Sequence, residues 1–281
     1  MRFAVDRVAD CRGSDRSTRF ALVAVIATAF LAFGLTATAQ AGTSPTTTLA
    51  NGAERTTYAI GPIAVTSGQN RIAYEPVTGS EKPAVDGWIT RIVPNMVRAD
   101  GSVPRSSKVM FHHGVWINTS APARERLFFA TGEEKTNVEL PPGYGYRYEA
   151  GDGWILNHML HNLEPEPMEL FVTYTIDFVP DTAPEAAGMT PVKPIWMDVE
   201  SGIYPVFDVL RGSGGPDGKF TYPQDADNPY PNGWQKNEKK IAEDGVLVAT
   251  AGHVHSGGLS TDLYLKREGA SYAGPACKAP K

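Results

Sequence analysis

The six histidines of this chain fall in three short clusters: His112 with His113, His158 with His161, and His253 with His255. Imidazole is the commonest side-chain ligand for copper and zinc, and a site needs several rings converging on one point. His253 and His255 are two apart in GHVHSGG. On a strand, residues i and i+2 project from the same face, so both rings can grip one ion. Gly252, Ser256, Gly257 and Gly258 leave room for a metal and something bound to it. The plainer alternative is a pair of surface histidines in a turn.

His112 and His113 are adjacent in VMFHHGVWIN. Neighbours on a strand face opposite ways, so both reach one metal only if a bulge re-aims one of them. Gly114 directly after supplies backbone freedom for that. The alternative places one ring in the core and one in water, and burying imidazoles without partners is costly. In WILNHMLHNL, His158 and His161 are three apart and so face opposite sides of a strand. At most one of them joins the His112–His113 site, and the other is structural or braces the ligands from behind. A cupin would place a glutamate three or four positions after the second His of H-x-H. Those positions hold Gly258 and Leu259, and no His follows, which rejects that family. Three imidazoles plus water also suit zinc.

The elements that must position these rings read as strands almost throughout. Tyr58 to Val65, Gly87 to Val93, Lys108 to Ile117, Trp154 to His161 and Glu169 to Val179 are strand candidates. Tyr144, Tyr146 and Tyr148 alternate with Gly145 and Arg147, which puts the rings on one face. Pro141-Pro142-Gly143 and Gly151-Asp152-Gly153 mark turns. No stretch reads as a capped amphipathic helix. Further on, Gly245 to Thr250 reads as a buried strand running into His253, and Leu259 to Lys266 as its return. The expected fold is all-β: two antiparallel, jelly-roll-like β-sandwich domains, the second incomplete. Residues 56–180 form the first, 181–194 a Pro/Ala/Thr-rich linker, and 195–281 the second. The long Gly/Pro/Asp/Asn segment between Gly212 and Lys240 is a functional or mobile loop.

Composition bounds the rest. The 281 residues carry 26 basic and 31 acidic side chains, a formal charge of −5, with 42% apolar and 10% aromatic residues. That is ordinary for a globular protein, and no basic face argues for nucleic acid. Gly 28 and Pro 22 suit a turn-rich β protein. Two cysteines exclude a disulfide-dense scaffold. Residues 20–35, FALVAVIATAFLAFGL, form an apolar run after Arg12, Arg16 and Arg19, followed by Ala39-Gln40-Ala41. This is the pattern of a secretory signal peptide over 1–41, cut after Ala41, which leaves no stable membrane span and implies export. Cys11 is lost with it, leaving Cys277. Residues 42–55 read as a flexible leader. Asn118-Thr119-Ser120 fits a glycosylation acceptor, meaningful only in a eukaryote. Glu133 and Glu134 read as a solvated turn as readily as anything else.

HHGVW, then HNLEP, then GHVHSGG, in this order, resemble the copper type II, ascorbate-dependent monooxygenases of the peptidylglycine α-hydroxylating type. FATGEE followed by LPPGYGY resembles more closely the stress up-regulated Nod 19 family, their distant relative without a firmly assigned activity. The resemblance spans Tyr58 to Lys266. It implies two β-sandwich domains and two coppers, the first on His112, His113 and His161, the second on His253 and His255. It prefers His161 to His158 because HNLEP matches a strand-end His before a turn. It also implies ascorbate as reductant and a C–H bond of a small organic or peptide substrate, should the chain be an enzyme. The family's second copper takes a methionine downstream of H-x-H, and none follows His255 here. The expectation is therefore a secreted copper-binding protein, weak or inactive as an oxygenase, binding copper better at the first site. An active monooxygenase and a zinc-binding stress protein are the alternatives.

Overall fold

The computed structural model describes residues 42–123, 125–197, 239–253, 259–265 and 277–280. The signal-like segment, His255 and the Trp234-containing loop lie outside the described residues. The strands are β1 (Gly42–Thr43), β2 (Thr47–Thr48), β3 (Glu54–Val65), β4 (Asn70–Val77), β5 (Gly87–Arg98), β6 (Val109–Asn118) and β7 (Leu127–Gly132). They continue with β8 (Val138–Glu139), β9 (Tyr144–Tyr148), β10 (Trp154–Asn162), β11 (Met168–Pro180), β12 (Thr190–Pro191), β13 (Ser260–Leu263) and β14 (Cys277–Pro280). Two short 3-10 turns, Gly79–Glu81 and Pro184–Gly188, are the helical elements among the described residues.

The fold is all-β and sandwich-like. One sheet runs β1-β3-β11-β5-β9-β12, with β2 on β3 and β8 on β5; the other runs β4-β10-β6-β7. Their inner faces share one apolar core. Trp116 of the smaller sheet meets Tyr174 of the larger edge-on, ring centroids 5.2 Å apart. Trp154 meets Tyr148 in the same way at 5.1 Å. Such edge-to-face pairs add specific geometry to the burial that drives the sheets together.

β10 shows how the pattern folds. Trp154, Leu156, His158, Leu160 and Asn162 are buried, while Ile155, Asn157, Met159 and His161 are half-buried on the outer face. This is the period of two that the sequence predicts. The tyrosines of β9 also behave as expected where they pack: Tyr148 is fully buried, and Tyr146 stacks on Phe128 at 4.9 Å. β4 and β7 are strands that the sequence reading leaves out.

The molecule divides into two units, residues 1–192 with 247–281, and 193–246. In the first, β1 and β2 pair with β3, and β12 runs parallel to β9. β13 pairs antiparallel with β14. In the second, Lys193 and Glu243 form an exposed ion pair at 3.8 Å. The segment 245–250, expected as a buried strand, is neither: it carries no strand, Val246 is 74% exposed and Leu247 60%. An apolar run alone does not make a strand; it needs a partner ladder, and none of the described strands pairs with it.

Asn118 is not a plausible glycan acceptor in the folded chain. It is buried, its amide donates to the Asp152 carboxylate at 2.9 Å and to the Tyr146 hydroxyl at 3.2 Å, and its carbonyl oxygen accepts from the Ser120 N–H.

Candidate metal-binding face

The decisive local feature is a β-bulge in β6. Met159 of β10 pairs with His113 and Leu160 with Phe111, so His112 is the extra residue. Two residues of one strand then oppose one of the other. The burial pattern changes phase at this point: Val109 and Phe111 face the core before it, Trp116 and Asn118 after it. Without the bulge, an odd-numbered and an even-numbered residue could not both face inward. The bulge thus lets β6 keep its core contacts while both histidines stand outside them. The rings of His112 and His113 lie 5.7 Å apart, centroid to centroid, at 77°. Rings of strand neighbours on opposite faces would be separated by the sheet itself. The bend expected from the His-His-Gly run is present.

Gly114 serves it differently from the expectation. Its backbone is not in the left-handed region; what it supplies is space. A Cβ there would stand 2.6 Å from Phe111 Cζ and 3.2 Å from Trp116 Cζ3. Gly114→Ala is therefore expected to cost about 1–3 kcal/mol by overpacking, read as a lowered urea midpoint with an unchanged slope.

The outer face around the pair is built by register. His113 is buried, and its Nε2–H donates to Asn157 Oδ1 at 3.2 Å. Met159 stands directly across from His113, and His161 across from Met110. Residues opposed in this way share a face, so His161, Met159, Met110 and His113 look outward together. His161 comes to the face of the pair.

His158 does not. It is 1% exposed and faces the core between the sheets, with Nε2 3.6 Å from Glu75 Oε1, beyond hydrogen-bonding distance. Burial pushes its pKa below the ordinary value; Glu75 pulls it back up, and Arg71 opposes Glu75. The structure therefore makes His158 a neutral core residue. The sign follows. The neutral ring is favoured in the fold, so its contribution is complete above the unfolded value of 6.5 and is lost as pH falls below it towards the depressed folded value. The difference in stability between wild type and His158→Leu is expected to vary with pH below that value, by up to about 1.4 kcal/mol per unit. Urea unfolding of both proteins between pH 4.5 and 7.5 checks it; parallel curves would show that His158 does not titrate with folding.

His253 arrives from the other end of the chain. Its ring lies over Gly132, where a Cβ would meet His253 Cε1 at 2.0 Å. Gly132 is the cross-strand partner of His113 on β7. His253 Nδ1 is 2.8 Å from Glu134 Oε2. Glu134 also accepts from the Thr136 hydroxyl at 2.6 Å and the Gly132 N–H at 3.0 Å. Burial works to raise the Glu134 pKa, but the bonds from His253, Thr136 and the backbone outweigh it and hold the carboxylate down at about 2. Glu134 is the residue that sequence reasoning missed as part of the site. The only sequence signal was its place in FATGEE, and its partner lies 119 positions away.

Among the described residues, no three His, Cys, Asp or Glu side chains are gathered around one point. On this face the adjacent imidazole pair sits on a bulge, Met159 is the cross-strand partner of His113, His161 that of Met110, and His253 lies at Gly132. Nor is any described helix long and apolar enough to cross a membrane.

Fold and site together define an all-β sandwich that displays paired imidazoles on the outer face of its smaller sheet. No protein-family model matches the chain, and no curated protein does.

Proposed function

We propose that this is an exported transition-metal-binding protein, with copper as its metal and the His112–His113 pair as its centre. The observation that carries the reading is the bulge. Strand geometry sends adjacent side chains to opposite faces, and here the backbone departs from that rule at the one place where two histidines are adjacent. Bulges re-aim side chains, and two rings 5.7 Å apart can turn their nitrogens to one ion.

Copper is favoured over zinc by the company the pair keeps. Met159 is the cross-strand partner of His113, and Met110 that of His161. Thioethers are soft donors that suit Cu(I), whereas imidazole alone serves copper and zinc equally. Bound copper would supply one-electron chemistry. The residues would hold and orient it: His112 and His113 as ligands, with Asn157 fixing the His113 ring. Export rests on the Arg-flanked apolar run and the Ala39-Gln40-Ala41 site.

The test is metal analysis of the protein purified from its natural compartment, followed by anaerobic titration with Cu(I) and aerobic titration with Cu(II) and Zn(II). The reading expects stoichiometric copper and weaker zinc. Tighter zinc than copper, or no saturable binding of either, would remove it.

A further inference from the structure

The two edges of the smaller sheet differ. β7 runs into the loop that holds His253 through Glu134. β4 pairs with β10 on one side, and among the described residues no strand pairs with its other side. We propose that this free edge is the interface of a symmetric dimer, in which β4 pairs antiparallel with β4 of a second copy about Ala73. The inference stands apart from metal binding.

The edge is built unlike the edges of the larger sheet. An open edge presents a row of unpaired N–H and C=O groups, and folded proteins blunt it with short strands, bulges or covering loops. The larger sheet follows that rule, ending in β1 and β12, of two residues each. β4 does not. It is eight residues long, and its register with β10 runs from Asn70 to Val77 without a shift. Its one proline, Pro76, lies one residue from its end. There the missing N–H removes at most one ladder bond per strand.

The side chains of β4 fit a second β4. On either side of Ala73 the strand NRIAYEPV carries complementary residues. Antiparallel pairing on a two-fold axis through Ala73 sets Arg71 opposite Glu75 of the second copy, and Ile72 opposite its Tyr74. The axis repeats each pair, so two ion pairs and two apolar pairs form. Directly opposed residues share a face, and both kinds of pair are favourable. Arg71, Ala73 and Glu75 lie on the inner face, across from Leu160, His158 and Leu156 of β10. Ile72 and Tyr74 lie on the outer face, 50% and 61% exposed, and pairing would cover them. A slip of two residues, the smallest that keeps like faces together, would set Arg71 opposite Ala73 or Val77 and lose both ion pairs. The same pairing consumes the β4 edge of each copy, so assembly stops at two. The contact is one strand wide, which makes the dimer a weak one, filled at high protein concentration.

Sedimentation equilibrium of the full-length protein, without added metal and at low salt, tests it over a concentration series. The wild type should pass from monomer to dimer, and exchange of the β4 amides with deuterium should slow as it does. Arg71→Glu and Glu75→Arg each set like charges opposite one another at two places, and each should weaken the dimer about 10-fold or more. An equal mixture of the two variants should dimerise again, because each supplies the charge that the other lacks. Thermal unfolding checks that the variants fold. Glu75 lies 3.6 Å from the buried His158, so should Glu75→Arg fail to fold, Tyr74→Asp on the exposed outer row takes its place and should weaken the dimer as well. A wild type that stays monomeric throughout, a dimer that the substitutions leave unchanged, or a mixture of folded charge variants that stays monomeric would overturn the inference.

Discussion

His113→Ala is expected to abolish stoichiometric copper binding while leaving the chain folded. The side chain stands outside the core on the bulge, and its contact within the sheet is with Asn157. Removing it deletes half of the imidazole pair and the packing of one buried ring on the outer face of the sheet. The stability change should be about 1–3 kcal/mol, from the lost hydrogen bond and the gap left by the ring. The measurement is Cu(I) and Cu(II) titration beside urea unfolding. Unchanged stoichiometry in the folded variant would mean that the pair is not the centre. Collapse of the fold would mean that His113 is a core residue, contrary to its register with Met159.

Trp116→Ala should do the reverse. Trp116 is fully buried, packs on Phe129 at 5.3 Å, and meets Tyr174 of the opposite sheet at 5.2 Å. It also lies against the Gly114 step that follows the bulge. Truncating a buried tryptophan costs about 3–5 kcal/mol. Whole-domain stabilities are about 5–15 kcal/mol, so this one change can approach the total. Urea unfolding should show a large fall in midpoint, and the weakened protein should lose copper as it unfolds rather than before. A loss under about 1 kcal/mol would mean that the two sheets do not depend on this contact.

The parts of the fold legible in the sequence are those where burial follows the backbone period. β10 reads cleanly because every second residue from Trp154 to Asn162 is inside. β4 escapes the same reading for a physical reason. It pairs with β10 alone, at the edge of the smaller sheet. Opposite the inward residues of β10 it places Arg71, Ala73 and Glu75, and it turns Ile72 and Tyr74 outward, 50% and 61% exposed. Its apolar alternation points away from the core, so pattern and burial disagree. That outward pair extends the apolar surroundings of Asn157 and Met159, their cross-strand partners.

The site divides in the same way. Adjacent histidines on a strand leave two readings, a bulge or one ring inward and one outward, and the register shift at His112 decides for the bulge. The opposite faces of His158 and His161 follow from their spacing alone, and which of them turns outward follows from the phase of β10. What spacing cannot carry is the meeting of distant segments. The Glu134–His253 contact depends on where the chain returns after a long excursion. The space at Gly132 and Gly114 depends on which ring arrives there. Gly114 shows the limit well: a glycine after two histidines suggests flexibility, whereas its service is to make way for Phe111.

The most direct measurement is pulsed electron paramagnetic resonance on the Cu(II)-loaded protein, counting coordinated imidazoles. The account expects two or more, with one lost in His112→Ala and one in His113→Ala. A wild-type signal from a single imidazole, or a count that neither substitution changes, would contradict it.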